Sequence, residues 1–466
     1  PKKIAWIQCV GSRDVTLGND YCSSVCCMYA IKEAMISKEH EPGVEATIFY
    51  TDIRAFGKGF ESFYKQARYD SGVRFIRSQI SSIKEDPLSR NLLLSFIEDR
   101  EYREEEFDMV VLSVGLVANP SIKDISEILN INRNPFGFLE EKILEPLKSS
   151  KEGIFLCGAG NAPKDIPETV VQSSAAAAMC SELLSNVRNT EITAKEYPVE
   201  KEIKGAEARI GVFVCHCGIN IASVVDVNEV SEYIKNIPDV VHAEHTLYTC
   251  SQDTQKRIKE IIDEKNLNRV IVASCTPRTH EGLFQETLRE AGINKYMFEM
   301  TDIREQCAWV HQNEPEQATA KAKALVRGSI GKSRFLEPLT LKRINVNQAA
   351  LVIGGGISGI SAALSLGNQG FKVFLIEKKS TLGGNLVYLK NNLDGESWQE
   401  YLNQKIEEVN QHELIDIYLN TYLENINGSV GNFSSEINGD HTGNIQHGVI
   451  IMATGAEEYK PHEFLY

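Results

Sequence analysis

A segment near residue 350 carries, in one stretch, the signals of a strand, a glycine-rich turn, an amphipathic helix and a second strand: AALVIGGGISGISAALSLGNQGFKVFLIEK. This order constrains the fold more than any other feature, because it specifies a βαβ unit of a parallel sheet. The turn holds a G-x-G-x-x-G fingerprint at Gly354, Gly356 and Gly359, and Glu377 ends the second strand at the distance expected for a dinucleotide site. In such a site the glycines allow a tight turn and a close approach to pyrophosphate, while the acid accepts hydrogen bonds from ribose hydroxyls.

Two later motifs favour a flavin as the dinucleotide. KKSTLGGNL directly follows Glu377, and VIIMATGAEEYKP comes much later. The pair resembles the two-dinucleotide-binding flavoprotein family, in which the second glycine of LGG and the ATG segment line FAD. The resemblance implies that FAD contacts these residues and the lysine next to the acid: Lys378, Gly384, Thr454 and Gly455. A site for NAD and a turn that binds no ligand are the alternatives left open.

The first 190 residues also alternate strand and helix signals. FDMVVLSVGLVANPSI is similar to the closing strand of the pyridine-nucleotide domain of those flavoproteins, and KEGIFLCGAGNAPKDIPETVVQSSAAA is similar to their returning FAD segment. The resemblance implies that Gly158 contacts FAD, although Ala159 follows where the family usually has an acid for the ribityl chain. We predict helices at Gly59–Tyr69 and from Glu168. We predict strands at Ile4–Val10, Ala46–Tyr50, Val73–Ile76, Asp108–Val114 and Gly153–Leu156. Of these strands, Asp108–Val114 is expected to be buried.

Eleven cysteines form two groups, apart from the isolated Cys157 and Cys180. The first group lies in IQCVGSRDVTLGNDYCSSVCCMYA and comprises Cys9, Cys22, Cys26 and Cys27. Clustered thiols in a chain without export features indicate metal ligands rather than disulfides. The thiols surround a predicted strand end and helix start, where a helix dipole favours thiolates. Two adjacent cysteines favour a cuboid 4Fe–4S cluster, which would replace an NAD site; zinc and buried apolar cysteines are the alternatives.

The second group is spread over about a hundred residues, in CHCGINIA, YTCSQD, VASCTPRTHE and REQCAWVH. Its five cysteines exceed the four positions of one cluster. We predict a second 4Fe–4S cluster on Cys217, Cys250, Cys275 and Cys307, with Cys215 as the alternative to Cys217. Nearby histidines are interpreted as loop residues or as neighbours of the ligands, because enough thiolates are present: His216, His280 and His311.

The predicted class is α/β throughout, with parallel sheets. Residues 191–208 are charged and lack an apolar period, which predicts a linker. The predicted parts are the back half of a flavoprotein module with an inserted cysteine site (1–190), this linker, an iron–sulfur α/β domain (209–345) and the truncated front half of a FAD-binding Rossmann module (346–466). Within 209–345 we predict strands at Arg209–Val214, Val240–Tyr248 and Val270–Ala273. We predict helices at Val227–Ile237 and Asp253–Lys265.

Charge and hydropathy restrict the partners. A net charge of −15 argues against nucleic acid, because an acidic chain repels phosphate backbones. The longest apolar runs, such as MVVLSVGLVA, are too short to span a bilayer. PKKIAWIQCV lacks the apolar region and the cleavage site of a signal peptide. We therefore expect a cytoplasmic protein.

Several motifs resemble the A subunit of heterodisulfide reductase, the flavin and iron–sulfur subunit of methanogens and of many anaerobes: IQCVGSRD with YCSSVCCMYA, PKDIPETV, VCHCG, SCTPRTHE, REQCAWVH and GGGISGISAALSLGNQG. The family has these segments in another order, so we interpret the chain as a window across two tandem copies of that subunit. The resemblance implies thioredoxin-reductase-like modules, FAD, 4Fe–4S clusters and electron transfer, and it associates the flavin with electron bifurcation. It also implies partner subunits of the heterodisulfide reductase B and C type, and hydrogenase or ferredoxin-type donors.

Two other functions stay open at this point. An NAD(P)H-dependent flavin disulfide reductase would need a redox C-x-x-C beside the flavin and a second G-x-G-x-x-G, and the sequence shows neither. The second alternative is a scaffold that is not an enzyme and that keeps the folds of the cofactor-binding domains without the cofactors. One copy of a tandem pair could have this role. The sequence does not point to any catalytic residue.

Overall fold

The computed structural model describes residues 1–463. They form two compact units: residues 1–190 together with residues from 345 onwards, and residues 191–344. The first unit therefore combines two segments that are far apart in the sequence. The α/β class and the parallel sheets predicted from the sequence are confirmed.

Residues 1–190 are built on a parallel sheet with the strand order β3-β2-β1-β7, beside an antiparallel meander β4-β5-β6. Buried apolar side chains of the first two strands pack against the first helix and form the core between them. The strands are β1 Lys3–Val10, β2 Glu45–Tyr50, β3 Arg74–Arg77, β4 Ser82–Glu85, β5 Leu92–Glu98, β6 Glu101–Phe107 and β7 Met109–Val114. The helices are α1 Cys26–His40, α2 Phe60–Lys65, α3 Ser121–Leu129 and α4 Ile166–Leu183.

Two predictions for this segment are wrong. The strand expected to be buried, β7, exposes Met109, Leu112 and Val114, because it is the last strand of its sheet and has a neighbour on one side only. Gly153–Leu156 forms no strand: Gly153 turns the chain with a φ of 79°, and Phe155 makes an isolated bridge. The helix predicted at Gly59–Tyr69 divides into α2 and a π-helical turn at Gln66–Asp70.

Residues 191–344 form a doubly wound sheet with the strand order β11-β10-β8-β9, all parallel. The central strands β8 and β10 are buried at every residue, as expected when helices cover both faces. Alternate residues contact α6 and α9 on one face and α7 and α8 on the other. The strands are β8 Ile210–Cys215, β9 Val240–Thr246, β10 Arg269–Ser274 and β11 Phe298–Asp302. The helices are α5 Ile219–Ala222, α6 Val227–Lys235, α7 Gln252–Glu264, α8 Pro277–Glu290 and α9 Pro315–Ser333.

The charged segment 191–208 contains no helix or strand and packs against this second unit. Lys195 forms ion pairs with Glu286 and Glu290 of α8. The ring of Tyr197 lies under the guanidinium of Arg289, 3.8 Å from its centre, and Ile203 is buried in the core on the α7 and α8 face.

The segment from residue 345 onwards has a parallel sheet with the strand order β14-β13-β12-β18 and an antiparallel sheet β15-β16-β17. The predicted strand, turn, helix, strand and acid occur in that order. The strands are β12 Ala350–Ile353, β13 Val373–Ile376, β14 Ile415–Tyr418, β15 Thr421–Ser429, β16 Asn432–Gly439, β17 Gly443–His447 and β18 Val449–Met452. The helices are α10 Ile357–Asn368 and α11 Trp398–Gln411.

Helices α4 and α10 join the two segments of the first unit. The side-chain amide of Asn368 donates to the carboxylate of Glu182 at 2.6 Å, and the Ser185 hydroxyl donates to the Asn368 carbonyl at 3.2 Å. The guanidinium of Arg188 lies 5.3 Å from the ring centre of Phe371. These contacts hold the end of α4 beside the end of α10.

The two longest helices are α9, with 19 residues, and α4, with 18. The α9 helix carries several lysines along its length, and α4 contains an alanine-rich stretch. Among the residues that the structure describes, no helix combines the length and the apolar character needed to cross a lipid bilayer.

Candidate cofactor sites

Two of the fingerprint glycines are required by the packing of the protein itself. Gly354 has a φ of 109°, and a Cβ there would overlap with the carbonyl group of Ala453. A Cβ on Gly359 would overlap with the carbonyl oxygen of Gly354. Both positions therefore need glycine whether or not a ligand is bound.

Gly356 differs from its two neighbours in the fingerprint. It precedes α10 with φ −73° and ψ 178°, a conformation that any residue adopts. A Cβ there would meet only one atom within 4 Å, the Cα of Gly384 at 3.9 Å. No contact within residues 1–463 explains a glycine at this position, whereas a ligand that approaches the start of α10 would explain it. The open space before the helix suits a pyrophosphate.

Glu377 is held at the end of β13 by two backbone amides. Its Oε2 accepts from the Gly355 N–H at 2.6 Å, and its Oε1 accepts from the Lys379 N–H at 2.8 Å. The side chain is only 7% exposed, so its orientation is fixed, and each oxygen keeps a lone pair for a further donor. Lys378 points elsewhere, towards Glu457 at 3.3 Å, and both side chains are exposed.

The LGG turn and the ATG segment meet the fingerprint at the carboxyl end of the sheet. Gly383 donates its N–H to the Gly355 carbonyl at 2.8 Å. The side-chain amide of Asn385 donates at 3.0 Å to the carbonyl of Ala456, in the segment that follows β18. The structure thus brings together most of the residues predicted to contact FAD: Gly354, Gly356, Gly359, Glu377, Gly384, Thr454 and Gly455.

Gly158 lies on a tight turn that leads to α4, in the other segment of the same unit. Its φ is 71°, and its N–H donates to the side-chain oxygen of Gln172 at 3.0 Å. The helix then begins at Ile166, with a capping box between Asp165 and Glu168. Since α4 packs against α10, Gly158 stands on an element that adjoins the fingerprint helix.

The first cysteine group is gathered around the start of α1. Cys26 and Cys27 open the helix and are buried, and Cys9 lies one residue before the end of β1 with a φ of 62°. The pKa of Cys9 is raised, first by hydrogen bonding with the Cys26 thiol and second by burial. Cys26 is similarly bonded to Cys27, and Cys22 also acts on the pKa of both. The other three thiols thus act on the pKa of Cys26, and likewise on that of Cys27.

No sequence pattern indicated a cation in this group, yet Arg13 stands beside it. Its positive charge partly counteracts the rise in the pKa of Cys9, and its side chain forms an ion pair with Asp52. The carbonyl of Asp52 lies 3.8 Å from the Cys27 thiol, so the loop after β2 adjoins the same group. The spatial proximity depends on the parallel pairing of β1 with β2, which brings loops distant in sequence together.

In the second unit, three thiols are adjacent. Cys215 ends β8, and its sulfur accepts from the backbone amides of Cys217 at 3.2 Å and of Thr249 at 3.4 Å. Burial raises the pKa of the Cys250 thiol, and the neighbouring thiols of Cys215 and Cys217 raise it further. Cys275 follows β10 directly, and burial raises its pKa also.

Cys307, which we predicted as a ligand, has different surroundings. It is fully buried on a π-helical turn and belongs to the hydrophobic core with residues of α6 and α9. Its thiol donates to the carbonyl of Ala318 at 3.1 Å, and burial raises its pKa. Cys215 thus lies beside Cys217 and Cys250, whereas the Cys307 thiol is directed at the carbonyl of Ala318.

Arg304 is a second residue that the sequence analysis missed. One nitrogen of its guanidinium lies 3.4 Å from the sulfur of Cys217, and it also counteracts the pKa rise of Cys275 that burial causes. Of the three histidines interpreted as loop residues or as neighbours of the ligands, His216 contacts His245 at 2.9 Å and His311 contacts Glu314 at 3.0 Å. Across residues 1–463, no group of three or more histidine, cysteine, aspartate or glutamate side chains is arranged to hold a metal ion.

Comparison with known proteins finds similarity to two groups. Residues 348–464 match the family of pyridine nucleotide-disulphide oxidoreductases. An iron–sulfur A subunit of the CoB–CoM heterodisulfide reductase of Methanopyrus kandleri is 46% identical over 232 residues, which are 50% of this chain and 35% of the relative. The A subunit of the H2:CoB–CoM heterodisulfide, ferredoxin reductase of Methanothermobacter thermautotrophicus is 41% identical over 239 residues, or 51% of this chain and 36% of the relative.

The chain thus spans about a third of the length of these curated relatives. Among solved structures, L-proline dehydrogenase from P. horikoshii aligns with 27% of the chain at 28% identity, with a TM-score of 0.22. The family resemblance predicted from the motifs is confirmed over half of the chain. The relatives and the matching domain are oxidoreductases by name, in agreement with the predicted enzyme class.

Proposed function

We propose that this chain, which is homologous over half its length to the A subunit of heterodisulfide reductase, is a FAD- and 4Fe–4S-containing electron-transfer subunit of a related complex. The single observation that supports the flavin most directly is the space at Gly356, where the chain has a glycine that its own packing does not require. When bound, FAD exchanges electron pairs or single electrons, and iron–sulfur clusters accept single electrons.

For FAD, the residues of this chain have distinct tasks. The N–H groups at the start of α10 would bind the pyrophosphate, because they have no partner within the helix. Glu377 would accept from the ribose hydroxyls with the lone pairs that its two backbone contacts leave free. Gly384 and Thr454 would line the cofactor from the neighbouring loops. We extend the site to Gly158, since its helix packs against α10 in the same unit.

For the first cluster we propose the four thiols at the start of α1: Cys9, Cys22, Cys26 and Cys27. The effects of these thiols on the pKa values of Cys9 and Cys26 support a common site, and the helix start favours thiolates.

For the second cluster we propose Cys215, Cys217, Cys250 and Cys275, and we replace Cys307 of the predicted set by Cys215. The two backbone amides that donate to the Cys215 sulfur are of the kind that stabilise a ligating thiolate. The Cys215 thiol lies 3.9 Å from the carbonyl of Leu247, whereas the Cys307 thiol donates to that of Ala318 at 3.1 Å.

The flavin assignment is tested by the variant Gly356→Val in protein purified without oxygen. We expect stoichiometric flavin in the unaltered chain and its loss in the variant, because the added side chain fills the space before α10. Gly282→Val is the matched control: Gly282 lies in α8 of the second unit with no atom within 4 Å of a Cβ, so flavin should be retained. Full flavin content in Gly356→Val would contradict the proposal.

The clusters are tested by counting iron and acid-labile sulfide and by low-temperature electron paramagnetic resonance. Cys27→Ser should remove the signal of the first cluster, and Cys250→Ser should remove that of the second. Cys215→Ser and Cys307→Ser form a matched pair, of which only the first should abolish the second signal. Zinc in place of iron would rule out either cluster, and loss of signal only in Cys307→Ser would restore the original ligand set.

We also infer the partners from the relatives. One relative is named a heterodisulfide and ferredoxin reductase subunit, and others carry ferredoxin in their names. We propose that this chain works with subunits of the heterodisulfide reductase B and C type and with a hydrogenase or ferredoxin-type donor, in flavin-based electron bifurcation. In the assembled complex, ferredoxin reduction that requires the simultaneous presence of a heterodisulfide would support this; reduction that is independent of it would not.

A further inference from the structure

Arg304 occupies a special place in the second unit. Its Nη1 donates to the sulfur of Cys217 at 3.4 Å, and its Nη2 donates to the carboxylate of Glu305 at 2.7 Å. The guanidinium also lies 5.0 Å from the ring centre of Trp309. The side chain is 19% exposed, so it is largely shielded from water, and its position is set by three different partners.

The surrounding turn fixes this arrangement. Asp302, at the end of β11, accepts from the backbone amides of Arg304 at 3.1 Å and Glu305 at 2.9 Å. The other oxygen of Glu305 accepts from the amide of Thr276 at 3.0 Å, one residue after Cys275. The Arg304 and Glu305 pair therefore connects the segments that carry two of the thiols.

We propose that Arg304 is a positioning residue that raises the reduction potential of the cluster on Cys215, Cys217, Cys250 and Cys275. This inference rests on the cluster assignment made above. A cluster ligated by four thiolates is anionic and becomes more negative when it accepts an electron. A fixed cation at one sulfur stabilises the reduced form more than the oxidised form. Glu305 offsets part of this effect, since its own charge neutralises the guanidinium in part.

The electron and proton balance is simple. One electron passes from the reductant used in the titration to the cluster, and no bond to Arg304 is made or broken. The guanidinium keeps its proton in both states, because arginine is not deprotonated in proteins. Its contribution is therefore a constant charge and a hydrogen bond to the Cys217 sulfur.

The test is a redox titration of the full chain, followed by electron paramagnetic resonance of the signal that Cys250→Ser abolishes. In Arg304→Gln we expect unchanged iron content. At a fixed potential, the ratio of reduced to oxidised cluster should fall about tenfold, which is about 59 mV for a one-electron couple. The matched control is Arg327→Gln, which removes an exposed positive charge of α9 in the same unit and should leave the potential unchanged.

Glu305→Gln gives a second measurement with the opposite sign. This variant keeps an oxygen for the Thr276 amide but removes the charge that offsets Arg304, so the potential should rise. An unchanged midpoint in Arg304→Gln, or an equal fall in Arg327→Gln, would overturn the inference. If Arg304→Gln does not retain iron, the result with Glu305→Gln decides: a rise supports the inference and any other result overturns it. Absence of iron in the unaltered chain would instead refute the cluster assignment.

Discussion

Replacing Gly359 with alanine should lower the free energy of unfolding of the first unit, because the new Cβ would overlap with the carbonyl oxygen of Gly354. The helix cannot simply move away, since Ile360 of α10 and Val352 of β12 are fully buried in one core. Overpacking at such a contact costs about 1–3 kcal/mol. The loss should be present without any flavin, because both overlapping groups belong to the protein.

Gly356→Ala is the matched comparison, in the same turn. Its φ of −73° suits alanine, and restricting the unfolded chain contributes about 0.4–1 kcal/mol. Alanine is a poorer residue than glycine immediately before a helix, by roughly the same few tenths of a kcal/mol. The two effects offset each other, so the stability of flavin-free protein should change by less than about 0.5 kcal/mol.

Urea unfolding of flavin-free protein measures both variants. In a Trp309→Phe background, the remaining tryptophans, Trp6 and Trp398, both lie in the first unit and report on its unfolding. The midpoint should fall in Gly359→Ala and stay near the reference in Gly356→Ala. Equal midpoints for the two variants would refute the distinction between a glycine needed for packing and a glycine needed for a ligand.

Two further predictions concern the first unit. Burial lowers the pKa of His447, which contacts Ser435 at 2.8 Å and the Val449 carbonyl at 3.0 Å, so the folded state favours the neutral ring. Stability should therefore fall as the pH drops below about 6.5, where the unfolded chain takes up the proton, and urea midpoints should show a smaller fall in His447→Gln. Asn368→Ala removes hydrogen bonds to Glu182 and His412 and should cost about 1 kcal/mol in the same assay; an unchanged midpoint would show that these contacts do not hold α4 on α10.

The βαβ unit at residue 350 could be predicted because its signals are local: the glycine turn, the apolar periods and the acid all follow within one stretch. The exposure of β7 could not be predicted, since it depends on where the strand lies in the sheet. The same limit applies to the second thiol group. The predicted strand end placed Cys275 at the carboxyl end of the sheet, directly after β10, whereas the direction of Cys307 is set by a π-helical turn that no sequence pattern indicated.

The two arginines beside thiols illustrate the limit further. Arg304 is 87 positions from Cys217 and reaches it because β11 and β8 flank the same central strand β10. Arg13 meets Asp52 across neighbouring parallel strands. Such pairs depend on the order of the strands in the sheet. That order is set by contacts between residues far apart in the sequence, so local patterns do not predict it.

The construction of the first unit from two separated segments sets the order of events during synthesis. Residues 1–190 leave the ribosome before the other segment of this unit, and α4 meets α10 only after residues 191–344 have also been made. At about 5–20 residues per second, that interval is on the order of ten to thirty seconds. Until then the face of α4 that contacts α10 has no partner. We expect this segment to need protection from aggregation during that interval.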